Sequence, residues 1–90
     1  MQRISRFYVL YREEPADGEP YLQILSKPTD DGSNFGLWIL EGDVIQTDPA
    51  FVANNPDAIV YLHGTQEAAD SAADTEKDRS IKDGWALHTG

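Results

Sequence analysis

The chain has no cysteine. That absence removes a disulfide framework, a thiolate zinc site and a cysteine nucleophile together. Positive charge is scarce: seven Lys and Arg stand against sixteen Asp and Glu, a formal net charge of -9 at pH 7. So acidic a chain lacks the basic footprint that direct binding to nucleic acid or to anionic lipid requires. No apolar run nears the ~20 residues of a membrane-spanning helix, and Met1-Gln2-Arg3-Ile4-Ser5-Arg6 leads into no signal-peptide core. The expectation is a soluble cytoplasmic protein, and 90 residues make one domain, residues 1–90.

Apolar material is modest but sufficient. Leu, Ile, Val and Phe number 20 of 90, just above the level at which disorder becomes the default. The charge is unevenly spread. Residues 1–12 hold Arg3, Arg6 and Arg12 with no acid, whereas residues 13–76 hold fourteen acids against Lys27 alone. The acidity belongs to the middle of the chain, which points to a folded acidic surface rather than an acidic tail.

Strands come first along the chain. Phe7-Tyr8-Val9-Leu10-Tyr11 is a β-favouring run. The segment from Glu13 to Pro20 carries Asp-Gly and Pro turn signals, and Tyr21-Leu22-Gln23-Ile24-Leu25 returns as the second arm of a hairpin. Pro28 to Asn34 is the next turn cluster, followed by Phe35 to Leu40. Asp48-Pro49 suits an N-cap with proline at the first helical position, giving a short helical turn from Pro49 to about Asn54. Ile59 to Leu62 forms a fourth strand, and Trp85-Ala86-Leu87 a short closing one. Thr65 caps one long helix over Gln66 to Ser80. The fold class is therefore α+β: a mainly antiparallel sheet of four or five strands with one long helix packed on one face.

At 100° per residue, Ala68, Ala69, Ala72 and Ala73 of that helix cluster on one side, and Glu67, Asp70, Asp74 and Asp78 on the opposite one. The alanines suit close contact with the sheet. The four acids form a candidate partner-binding surface, with the solvated helix face as its plain alternative. A DNA duplex carries one charge per about 1.7 Å of axis, so these four alone are too sparse to imitate it. Mimicry requires the turn acids Glu13, Glu14, Asp17, Glu19, Asp30, Asp31 and Asp43 to lie alongside.

A second candidate surface is apolar. One long helix covers one sheet face, so an open sheet leaves a surplus face, expected at Tyr8, Leu10, Trp38 and Leu40. A sheet curled into a half-barrel buries them instead.

Catalytic signals are thin. His63 and His88 end apolar strands, and no close His pair accompanies them. No Gly-x-Ser-x-Gly elbow is present. Asp30-Asp31-Gly32-Ser33-Asn34 with Glu41 has Phe35 where a calcium loop requires glycine, so a plain β-turn reads better. His63-Gly64-Thr65 joins strand to helix as phosphate loops do, but Glu67 and Asp70 repel an anion there. No catalytic residue, metal ligand or cofactor is assigned.

The leading expectation is a non-enzymatic module that masks a basic, nucleic-acid-binding surface of a larger protein or complex, as a stoichiometric inhibitor or adaptor. Small acidic phage-encoded inhibitors, anti-CRISPR proteins among them, offer an analogy of composition and size. The alternative is a structural subunit that self-associates, as a homodimer, through the apolar face. A small enzyme using a histidine and carboxylates ranks last.

Overall fold

A computed structural model describes residues 4–14 and 18–88. The turn residues Pro15, Ala16 and Asp17 lie outside the described residues, as do residues 1–3 and 89–90. Five strands and two helices follow in chain order. They are β1 (Arg6–Tyr11), β2 (Tyr21–Pro28), β3 (Phe35–Gly42), α1 (Pro49–Asn54), β4 (Ile59–His63), α2 (Gln66–Lys82) and β5 (Ala86–Leu87). The strands form one antiparallel sheet in the order β4-β3-β2-β1-β5. The fold is α+β, as expected. No helix among the described residues is long and apolar enough to cross a membrane.

Register assigns each side chain to a face, because directly paired residues share one. One row runs Tyr8, Ile24, Ile39, Ile59, and its neighbour runs Phe7, Leu25, Trp38, Val60. The first row belongs to the face under α2, where Leu10, Leu22, Ile24, Leu37, Ala73 and Trp85 make one buried cluster. The second row belongs to the opposite face, where Leu25, Trp38, Leu40 and Val52 make another.

Over Leu25, Trp38 and Leu40 the surplus face is thus covered without the sheet curling into a half-barrel. The cover is α1, which the sequence marks only as a short turn of helix. Asp48 accepts a hydrogen bond from the Ala50 amide at 3.0 Å, so the cap is made as the Asp-Pro pair suggests. That helix drives the fully buried Val52 onto Leu25, Trp38 and Leu40.

Glycine matters at two positions. Gly36 lies beneath the Trp38 indole, and a Cβ there would collide with the ring. The same ring carries the Lys27 ammonium over its face at 4.6 Å, a cation–π contact that helps hold a nearly buried lysine. Gly84, at φ +106°, ends α2. The Gly84 amide donates to the Ile81 carbonyl at 3.2 Å and the Trp85 amide to the Ser80 carbonyl at 3.0 Å, a Schellman closure that swings the buried Trp85 into the core.

The turn between β2 and β3 is closed by its own side chains. The Asp31 carboxylate accepts from the Thr29 hydroxyl at 2.6 Å and from the Ser33 amide at 3.1 Å. Those bonds, Thr29 first, hold the Asp31 carboxyl down at about 2. The aspartate therefore serves the β-turn.

Candidate functional site

Thr65 caps α2 through a hydrogen bond accepted from the Ala68 amide at 3.1 Å. The helix is rotated from the expected orientation. Ala69, Ala73 and Ser80 are the buried positions, Ala72 is partly buried and Ala68 is exposed. The rotation turns Asp70 and Asp74 toward the sheet instead of away from it.

Asp70 accepts from Ser5 Oγ at 2.7 Å, from the fully buried Ser26 Oγ at 2.8 Å and from Gln66 Nε2 at 2.8 Å. Burial alone raises its pKa, but those three bonds and the Arg6 guanidinium outweigh burial and hold it below the ordinary aspartate value. Asp74 accepts from the Tyr8 hydroxyl at 2.5 Å and from Arg6 Nε at 3.3 Å. The two carboxylates in turn push the Arg6 pKa up, Asp74 more than Asp70. Burial, followed by the bond to Asp74, raises that of Tyr8. Lys77 completes the group, its ammonium 4.8 Å from the centre of the Tyr8 ring.

The expected four-acid surface therefore divides. Glu67 and Asp78 are exposed, whereas Asp70 and Asp74 bind α2 to β1 and β2. The reason is chemical. Ser5, Ser26, Arg6 and Tyr8 all carry donors toward the helix, and buried hydroxyls favour the nearest acceptor over none.

Tyr8, Leu10, Trp38 and Leu40 do not share an open face either. Tyr8 and Leu10 lie under α2, while Trp38 and Leu40 lie under α1 on the other side of the sheet. Leu10, Trp38 and Leu40 are buried and Tyr8 is half-buried. Register decides this: Trp38 pairs with Leu25, which pairs with Phe7, so Trp38 belongs with odd-numbered β1 residues.

The turn acids do not line up with the helix as one row. Asp30 and Asp31 sit in the β2–β3 turn, while Glu19 and Asp43 lie at the other end of those two strands. There a groove of about 500 Å³ brings together Glu19, Glu41, Asp43 and Asp57, with Leu40 and Val44 in its wall. Three separate segments build it: the approach to β2, the end of β3, and the turn before β4. In that turn Asn55 Oδ1 accepts from the Asp57 amide at 2.8 Å. A second hollow shares Glu19, Glu41 and Asp57 and reaches Ile39 and Ile59. Sequence reasoning missed Glu41 and Asp57 as members of an acidic site, since only the β2–β3–β4 register brings them together.

The two histidines sit at opposite edges of the sheet, His63 ending β4 and His88 following β5. His63 pairs with Phe35 and its Nε2 is buried without a hydrogen-bond partner. His88 stands edge-on to Tyr11 and Tyr21, with ring centres at 5.7 and 6.2 Å. They do not converge on one site. Among the described residues no group of three His, Asp or Glu side chains is arranged to hold a metal ion. Comparison of the chain with known protein families, with curated proteins and with solved structures finds no match.

Proposed function

We propose that this chain is a non-enzymatic protein-binding module that docks on a basic surface of a larger protein, a surface that partner uses to hold nucleic acid. The observation that supports the reading is the acidic groove at the end of the sheet, where Glu19, Glu41, Asp43 and Asp57 from separate segments line one hollow. Glu41 lies on β3 and the other three in the segments that adjoin the strands, and carboxylates converging on one hollow suit lysine and arginine side chains. The net charge of -9 adds long-range attraction to a basic patch, which acts chiefly on association rate. Exposed Glu67 and Asp78 on α2 enlarge the acidic field, while Asp70 and Asp74 serve the fold. On this reading the protein works stoichiometrically in the cytoplasm, as an inhibitor or adaptor.

The test begins with the partner, captured from lysate and identified by mass spectrometry. Binding is then measured across a salt series with the native chain and with a Glu41→Gln, Asp43→Asn, Asp57→Asn variant. Competition with nucleic acid, a steep loss of association rate with salt, and a shallower salt slope for the variant are the expected results. A partner bound equally well by the neutralised variant would remove the acidic groove from the contact.

A further inference from the structure

Apart from the two-residue β5, whose side chains are also exposed, the strand β4 is unlike the other strands of the sheet. Its four residues Ile59, Val60, Tyr61 and Leu62 are 56%, 46%, 50% and 61% exposed. They alternate between the two faces, so both faces of this edge are apolar and open to water. Its register pairs it with β3, and it stands last in the sheet order, so its outer backbone edge faces outward. Monomeric proteins protect such an edge with lysine, proline, a bulge or a very short strand. The opposite edge follows that practice, since β5 is only two residues long. The strand Ile59-Val60-Tyr61-Leu62-His63 carries no lysine, arginine, aspartate, glutamate or proline.

We infer that β4 is a dimer edge, and that its occupant is the β4 of a second copy of this chain, paired antiparallel about a two-fold axis at Tyr61. The strand is complementary to itself in that register. Tyr61 meets Tyr61 of the second copy, Val60 meets Leu62 and Ile59 meets His63. None of the five positions is Asp, Glu, Lys or Arg, and aromatic and β-branched cross-strand pairs favour the contact. Asp57 falls beside Thr65, so no carboxylate stands opposite another. The contact is isologous and uses up the long edge of each copy, leaving only the short β5 edges, so assembly stops at two rather than growing into a fibre. Four half-exposed side chains amount to a few hundred Å² on each copy, below the roughly 800 Å² per partner of a standard interface. The dimer is therefore expected to be reversible, with a dissociation constant in the micromolar range.

The charge separates this contact from the basic-partner contact proposed above. Two chains of net charge -9 repel one another, and salt screens that repulsion without weakening an apolar strand pairing. Dimerisation should tighten as salt rises, whereas the contact with a basic partner should loosen.

Sedimentation velocity on the purified chain, from about 1 to 500 µM, should show a mass moving from 10.0 kDa toward twice that value. Tyr61→Lys places two ammonium groups across the axis and should weaken the dimer at least tenfold. Ile81→Lys, on the exposed side of α2, should leave it unchanged. Circular dichroism and a cooperative melt establish that each variant is folded. Hydrogen exchange on the native chain supplies a readout that needs no variant: amides of residues 59–63 should gain protection as concentration rises. A monomer at every concentration overturns the inference. So does a dimer that Tyr61→Lys leaves intact, or one in which the β4 amides exchange at the monomer rate. None of these results touches the acidic-groove reading, which the partner salt series tests separately.

Discussion

Replacing Asp70 by Ala removes an acceptor that three side chains share. The most serious loss is at Ser26, whose hydroxyl is fully buried and donates to Asp70 at 2.8 Å. Left without an acceptor, a buried hydroxyl costs about 1–3 kcal/mol. Ser5 and Gln66 lie nearer the surface and can turn to water, so each adds only about 0.5 kcal/mol. The Asp70 side chain is only 18% exposed, so its bonds are not fully replaced by solvent. The sum is a loss of about 2–4 kcal/mol, set against a total stability of about 5–13 kcal/mol for a domain of this length. With about 4–8 °C of melting temperature per kcal/mol, the midpoint should fall by roughly 8–32 °C. Thermal and urea unfolding of the native chain, Asp70→Ala, Ser26→Ala and the double variant form a cycle. A coupling of about 1 kcal/mol or more between Asp70 and Ser26 is expected. Asp78→Asn, on an exposed side chain of the same helix, should change stability by no more than about 0.5 kcal/mol. An Asp70→Ala variant as stable as Asp78→Asn, or strict additivity with Ser26→Ala, would refute the assignment of Asp70 to the fold.

Three further outcomes are expected. Gln23 is fully buried between Val9 and Leu40, and neither its Oε1 nor its Nε2 has a hydrogen-bond partner; Gln23→Met should therefore raise stability by about 1–2 kcal/mol in urea unfolding, and a loss would show that the amide is used. Gly36→Ala should force the Trp38 indole out of its place over Gly36 and Lys27, costing about 1–3 kcal/mol and shifting tryptophan emission to the red; an unchanged melt and spectrum would show that the ring gives way freely. Because Asp70 and Asp31 titrate below their ordinary 3.8 in the folded chain, the stability they confer is complete above that value and is lost as pH falls through their folded pKa values; between about pH 5 and pH 2 the Asp70→Asn variant should lose less stability than the native chain.

Much of the fold was legible because its signals are local. The Asp48-Pro49 pair, the Thr65 cap and the β-favouring run from Phe7 to Tyr11 each act within a few residues, and the structure places α1, α2 and β1 where those signals put them. The sequence by itself also determined the acidic balance and the lack of thiol chemistry. What it left undetermined was every relation between elements. Helical periodicity separates Asp70 and Asp74 from Ala69 and Ala73, but it does not say how the helix is rotated over the sheet. Donors on β1 and β2, far away along the chain, settled that. Strand alternation divides Tyr8 from Phe7 and Trp38 from Leu37, yet which halves share a face depends on register. Register depends on the tertiary pairing of Phe7 with Leu25 and of Leu25 with Trp38. The acidic groove and the bare β4 edge follow from the same cause. Strand order alone gathers Glu41 with Asp57 and leaves Ile59 to Leu62 at the margin, and strand order is a property of the packed sheet that no single segment encodes.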